Sequence, residues 1–228
     1  MLWSGIGLVA LLGLAAGAYG GLEVKRELDR PPTRPEKDAA SLQEIALRWR
    51  TRAAGDIFPA TVDYGSGGKK DLALRVGIAA EAPCAKALDA TIDKIVASYG
   101  CKTVLRATYL DATETLVSTV GVAVLANGGA ASKASVLIWS PTPRRGVRAV
   151  AFPGTGSARF RDAARQYFTS TDTGNYLIFV AGGYADGRRQ VKSDRPAIFL
   201  FSSRIAVQVS SLLDQRIDPC TVRGVVTC

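Results

Sequence analysis

The stretch CAKALDATIDKIVASYGCKTVLRATYL, residues 84 to 110, decides the fold class because two periodicities meet in it. Leu88, Ile92, Ile95, Val96 and Tyr99 recur on one stripe at helical spacing. Past Gly100, KTVLRATYL changes to the β-branched and aromatic pattern of a strand. The spacing therefore predicts a helix over 84–98 and a strand after it. On the N-terminal side, IFPATVDY and DLALRVGIA read as strands. On the C-terminal side, the turn DATE leads into the strand TLVSTVGVAVL. A shorter helix over AASKASVLIW follows, then strands at VRAVAF, RQYFTS and NYLIFVAGGY. A long last helix runs from Pro196, in its first turn, to about Leu213. The order β-α-β-β-α-β from Leu72 to Phe152 is that of a ferredoxin-like sandwich, here with an added ββα unit. The expected class is α+β, a mostly antiparallel sheet with helices on one face, preceded by one transmembrane helix.

That helix is Leu2 to Leu22, LWSGIGLVALLGLAAGAYGGL, which carries no charge and has the length needed to cross a hydrocarbon core. Gly13, Gly17 and Gly21 recur every four residues and would line one face open to a second helix. Ala16-Gly17-Ala18 also fits the small-x-small pattern of a signal-peptide cleavage site, but no Lys or Arg precedes the apolar run. The expected organisation is an anchor over 1–24, a Pro-rich linker over 25–40, a juxtamembrane helix over 41–56 and an α+β domain over 57–228. The linker assignment rests on DRPPTRPEK, whose prolines oppose a helix. The helix assignment rests on Ser41 as a cap with Glu44 three residues on.

The 228 residues carry a net charge of +9 and no histidine. Without histidine, the Ser-His and Cys-His pairs and the usual zinc ligand sets are excluded. The excess charge is scattered arginine, a solvated basic face, and no aromatic-and-basic motif accompanies it, so nucleic acid is not an expected partner. Arg48, Arg50 and Arg52 would lie near anionic lipid headgroups if the linker is short.

Three motifs imitate active sites. Asp172-Thr173-Gly174 spells the aspartic-protease triplet, but it has no second copy and lies between two predicted strands, where Asp, Thr, Gly and Asn make a hairpin turn. Ser66 and Lys69 have SxxK spacing, but the two intervening glycines oppose the helix that would bring them together. Asp111 and Glu114 flank a turn rather than a cleft. The expectation is no catalytic residue, no cofactor-binding residue, no metal ligand and no cofactor.

Cys84, Cys101, Cys220 and Cys228 are an even set without metal-ligand spacing, most simply two disulfides. A continuous helix between Cys84 and Cys101 would separate them by roughly 22 Å, whereas bonded cysteines have Cα atoms within about 7 Å. One arrangement is a C-terminal strap, CTVRGVVTC, stapled at both ends to Cys84 and Cys101. The other pairs 84 with 101 and 220 with 228. Disulfides place the domain outside the cytosol. Lys25, Arg26, Arg30, Arg34 and Lys37 follow the apolar run, and by the positive-inside rule they argue the opposite. The disulfide reading is followed here.

VLRATYLDA and VSTVGVAVL, with YGC before them and a single N-terminal span, resemble uncharacterised single-pass envelope proteins of high-GC Gram-positive bacteria. The resemblance implies an envelope setting and no particular activity. The expected function is a non-catalytic, membrane-anchored accessory or interaction protein of the cell envelope, with another envelope or membrane protein as partner. A ligand-binding or sensing module is the alternative, and a hydrolase using Asp172 or Ser66 comes third.

Overall fold

The computed structural model describes residues 19–26, 30–138, 146–189 and 195–222. It has mixed α and β structure around one six-stranded sheet. The strands are β1 (Thr61–Asp63), β2 (Leu72–Ala82), β3 (Thr103–Asp111), β4 (Leu116–Val124), β5 (Arg165–Thr173) and β6 (Tyr176–Tyr184). Their order is β1-β2-β3-β4-β6-β5, and every neighbouring pair is antiparallel. The longer helices are α1 (Arg34–Thr51), α2 (Ala90–Ser98), α3 (Gly128–Ile138) and α4 (Arg195–Asp214).

This topology departs from the expected ferredoxin-like order. There the strands flanking the first helix are parallel with another strand between them. Here β2 and β3 are direct antiparallel neighbours, and the helical excursion of residues 84–98 only interrupts their meander. The expected strand at 147–152 is absent as well: a single bridge, Leu88 with Val147, is all the ladder it makes. Side chains bind this segment across a sheet face instead. The Thr108 hydroxyl donates to the Val150 carbonyl at 2.7 Å, and the Val150 N–H donates to the Thr119 hydroxyl at 3.0 Å.

Helices cover both faces of the sheet, not one. On one side Ile45 of α1 and Ile198, Phe201, Ile205, Val209 and Leu213 of α4 join Val120, Val122, Ile178 and Val180 in a single core. On the other side Ile92 and Val96 of α2 and Ala131, Ala134 and Ile138 of α3 pack with Val104, Ala123, Leu177 and Phe179. Strands β4 and β6 are buried along their whole lengths, as strands between two helical layers must be. Small residues set the approach of α4. The Ser202 hydroxyl lies 2.8 Å from that of Ser118, over Gly182, which is the register partner of Ser118. A Cβ on Gly182 would fall well inside contact distance of Ser202.

Within the described residues, α4 is the helix long and apolar enough to cross a membrane, over Ala197–Asp214. Its apolar stripe packs on the sheet, the pattern of a core helix. The expected span Leu2 to Leu22, with Gly13 and Gly17, lies mostly outside the described residues. Residues 19–26 are helical, and a Cβ on Gly21 would meet open space.

The chain divides into two compact units, one of them Leu42–Arg216. In the other, α1 begins at Arg34, inside the stretch expected to be a Pro-rich linker. Thr33 and Glu36 form the cap: the Thr33 N–H and hydroxyl both donate to the Glu36 carboxylate, at 2.7 and 2.9 Å. Pro35 falls in the first turn, where its missing N–H costs nothing. Arg30 also grips Glu36, at 2.6 and 2.9 Å. The Arg30 bond first, and then the Thr33 backbone N–H, hold the carboxyl down at about 2 from an ordinary 4.5.

Candidate functional site

The cysteines settle one alternative. Cys84 and Cys101 form a disulfide with their Cα atoms 6.5 Å apart, so the strap stapled to both of them is excluded. The expected helix is broken. A single turn, Cys84–Ala87, ends where Leu88 and Asp89 become extended, and α2 starts afresh at Ala90 with Asp89 at its N-cap position. The break lets the chain fold back, which a continuous rod would forbid. No cysteine among the described residues is free, while the pairing of Cys220 with Cys228 reaches beyond those residues.

Asp89 also serves a distant element. Its carboxylate receives two parallel bonds from the Arg165 guanidinium, at 2.8 and 2.9 Å, and Arg165 donates as well to the Val147 carbonyl at 2.8 Å. A partly buried ion pair of this geometry fixes β5 to the start of α2. A buried pair is on α1. Arg48, fully buried, is bound to Glu44 at 2.6–3.0 Å and donates to the carbonyls of Leu213 and Gln215 at 2.7 and 2.6 Å. It satisfies carbonyl groups at the end of α4, so the expected lipid contact cannot include Arg48. Arg52 leans on Glu44 at 3.4 Å, while Arg50 is exposed over the Trp49 ring.

The motifs that imitate active sites each have a structural role or stand apart from a cleft. Gly174 and Asn175 make the two-residue loop of the β5–β6 hairpin, with Gly174 at φ 53° in the first central position, so Asp172-Thr173-Gly174 leads into a turn. Asp172 is exposed. Gly67 and Gly68 both have positive φ, at 63° and 82°, so no helix joins Ser66 to Lys69. The Asp111 carboxylate is buried and accepts from the N–H groups of Thr115 and Leu116 at 2.7 and 2.6 Å, closing the β3–β4 turn. Among the described residues no three His, Cys, Asp or Glu are grouped to hold a metal ion.

What the structure assembles is a groove of about 300 Å³ between β5 and α4. The volume lies at the lower end of the ~300–1,000 Å³ typical of small-ligand sites. Strand β5 ends the sheet, so one side of it is open. Thr169 and Thr171, two residues apart, point to the same sheet face. From α4, Ser203, Ser210, Ser211 and Asp214 complete the polar lining, with Ala206 and Val207 as its apolar part. At the Ser203 end the Tyr167 and Phe199 rings meet edge to face, 5.5 Å between centroids, and Tyr167 and Ser203 share a hydrogen bond of 3.1 Å. The groove brings hydroxyl groups and one carboxylate together from two elements, and among the described residues none of its hydroxyls is hydrogen-bonded to Asp214.

No protein-family model, curated protein or solved structure matches the chain.

The groove escaped the sequence reading because its residues come from two segments about 40 positions apart. The available signal was the run of hydroxyl residues on the polar side of RQYFTSTDT and of the last helix.

Proposed function

We propose that this chain is a non-catalytic binding protein of the bacterial cell envelope, tethered by Leu2 to Leu22 and presenting its α+β unit outside the membrane to another envelope protein. The Cys84–Cys101 disulfide carries the reading, because such bonds persist in oxidising compartments and are rare in the cytosol. The uncharged segment Leu2 to Leu22 supplies the tether, and Tyr19, Leu22 and Val24 stand 60–68% exposed on the helical residues that follow its core. Arg50, exposed on α1, remains available for a contact with anionic headgroups. Capture of the full chain from native membranes in mild detergent should recover one defined membrane or envelope protein in fixed ratio. Recovery of none refutes the partner.

A second reading, a ligand-binding module, is favoured by the groove between β5 and α4. Among the described residues its only charged lining group is Asp214, so it suits a neutral ligand better than an anionic one.

A further inference from the structure

We infer that the groove between β5 and α4 binds a short neutral glycan, an inference that rests on the ligand-binding reading above. The hydrogen-bonding inventory comes first. The hydroxyls of Thr169, Thr171 and Ser210 and the carboxylate of Asp214 line the groove, and among the described residues they make no side-chain hydrogen bond of their own. Each hydroxyl offers one donor and two acceptor sites, and the carboxylate accepts only. A polyol matches that set group for group, because each sugar hydroxyl both donates and accepts. Neighbouring hydroxyls on one ring can donate together to the two carboxylate oxygens.

The shape agrees with a chain-like ligand. Thr169 and Thr171 are about 7 Å apart along the strand, and on the helix Ser210 lies about two turns beyond Ser203 and Asp214 about one turn beyond Ser210, so the polar groups form two rows. Between them Ala206 and the exposed Val207 give an apolar strip. Outside the lining, one turn before Ser203, Phe199 is 53% exposed and braced by Tyr167, an aromatic face that a ligand extending past Ser203 would meet with the C–H side of a sugar ring. Charge narrows the class further. Among the described residues no Lys or Arg lines the groove, so phosphate or carboxylate groups would meet Asp214 without compensation from them. An extended peptide would use the main-chain edge of β5 instead, and would leave the hydroxyl rows unmatched.

The test is calorimetric titration of the full chain, in a detergent without a sugar head, with neutral trisaccharides of gluco, manno, galacto and arabino configuration. A phosphorylated sugar and an extended peptide serve as controls. At least one neutral trisaccharide should bind with Kd of about 1 mM or tighter. Thr171→Val, Ser210→Ala and Phe199→Ala should each raise that Kd by about tenfold, the equivalent of one lost hydrogen bond or ring contact, without lowering the thermal midpoint. Absence of binding by all four trisaccharides up to ~10 mM overturns the inference, as does binding that the three variants leave unchanged. Binding of the peptide alone overturns it too. If the Cys84–Cys101 bond is intact in that sample, a negative result removes the glycan and leaves the tethered, partner-binding reading standing.

Discussion

Replacing Arg48 by Met removes a buried cation whose partners can be counted. The guanidinium holds Glu44 by three bonds of 2.6–3.0 Å and the Leu212, Leu213 and Gln215 carbonyls by one each, and Glu44 is only 7% exposed. Loss of one member of a buried pair leaves the other charged and unsolvated, which costs about 3–5 kcal/mol. Arg52, 3.4 Å from Glu44, offsets part of that, so the expected loss for Arg48→Met is ~3–4 kcal/mol. With a urea slope of about 2 kcal/mol/M, the midpoint should fall by nearly 2 M. The double variant Glu44→Leu with Arg48→Met removes the stranded charge. It should lose only ~1–2 kcal/mol, the cost of the helix-end carbonyls left without a donor. Urea unfolding of the full chain in detergent, followed by far-UV circular dichroism, measures both. A single variant within ~1 kcal/mol of the parent, or a double variant no better than the single, would refute the assignment of Arg48 as the clamp between α1 and α4.

Three other outcomes follow from the packing and the cap. Gly182→Ala should destabilise by ~1–3 kcal/mol through overpacking against Ser202 and Ile198, read as a lower midpoint in thermal melts. Conversion of Cys84 and Cys101 to Ala, a 17-residue separation, should cost about 3 kcal/mol, read as a denaturant midpoint that dithiothreitol no longer moves for this pair. Glu36 has its folded pKa depressed from 4.5 to about 2, so its capping contribution is complete above pH 4.5 and disappears as pH falls toward 2. Amide exchange in the first turn of α1 should accelerate over that interval, and Glu36→Gln should abolish the pH step.

The strands of the sheet were legible because their apolar runs and turn residues are local signals. Gly174-Asn175 ends β5 just where hairpin chemistry requires. The topology was not. Whether Leu72 to Ala82 pairs with Thr103 to Asp111 in parallel or antiparallel fashion depends on whether the helical excursion is continuous, and it breaks at the extended residues Leu88 and Asp89. Asp before an apolar-periodic segment is a cap signal, but the stripe Leu88, Ile92, Ile95 runs through it and masked it. The start of α1 was hidden similarly: Thr33 with Glu36 satisfies the same capping pattern as Ser41 with Glu44, and the prolines around it drew the reading toward a linker. Burial of β4 on both faces was foreshadowed by LVSTVGVAV, which carries apolar residues on both sides of the strand and no charge. Arg48 looked like any other residue of an exposed basic helix, because only the distant end of α4 makes it a buried one.

The proposed envelope role requires the α+β unit to lie in an oxidising compartment. The most direct measurement is a non-reducing peptide map of the full-length chain, alkylated as it is taken from native membranes. The expected result is a peptide pair linked through Cys84 and Cys101, with neither thiol alkylated. Recovery of both as free, alkylated thiols would place the unit in a reducing compartment and contradict the extracytoplasmic assignment and the envelope partner with it.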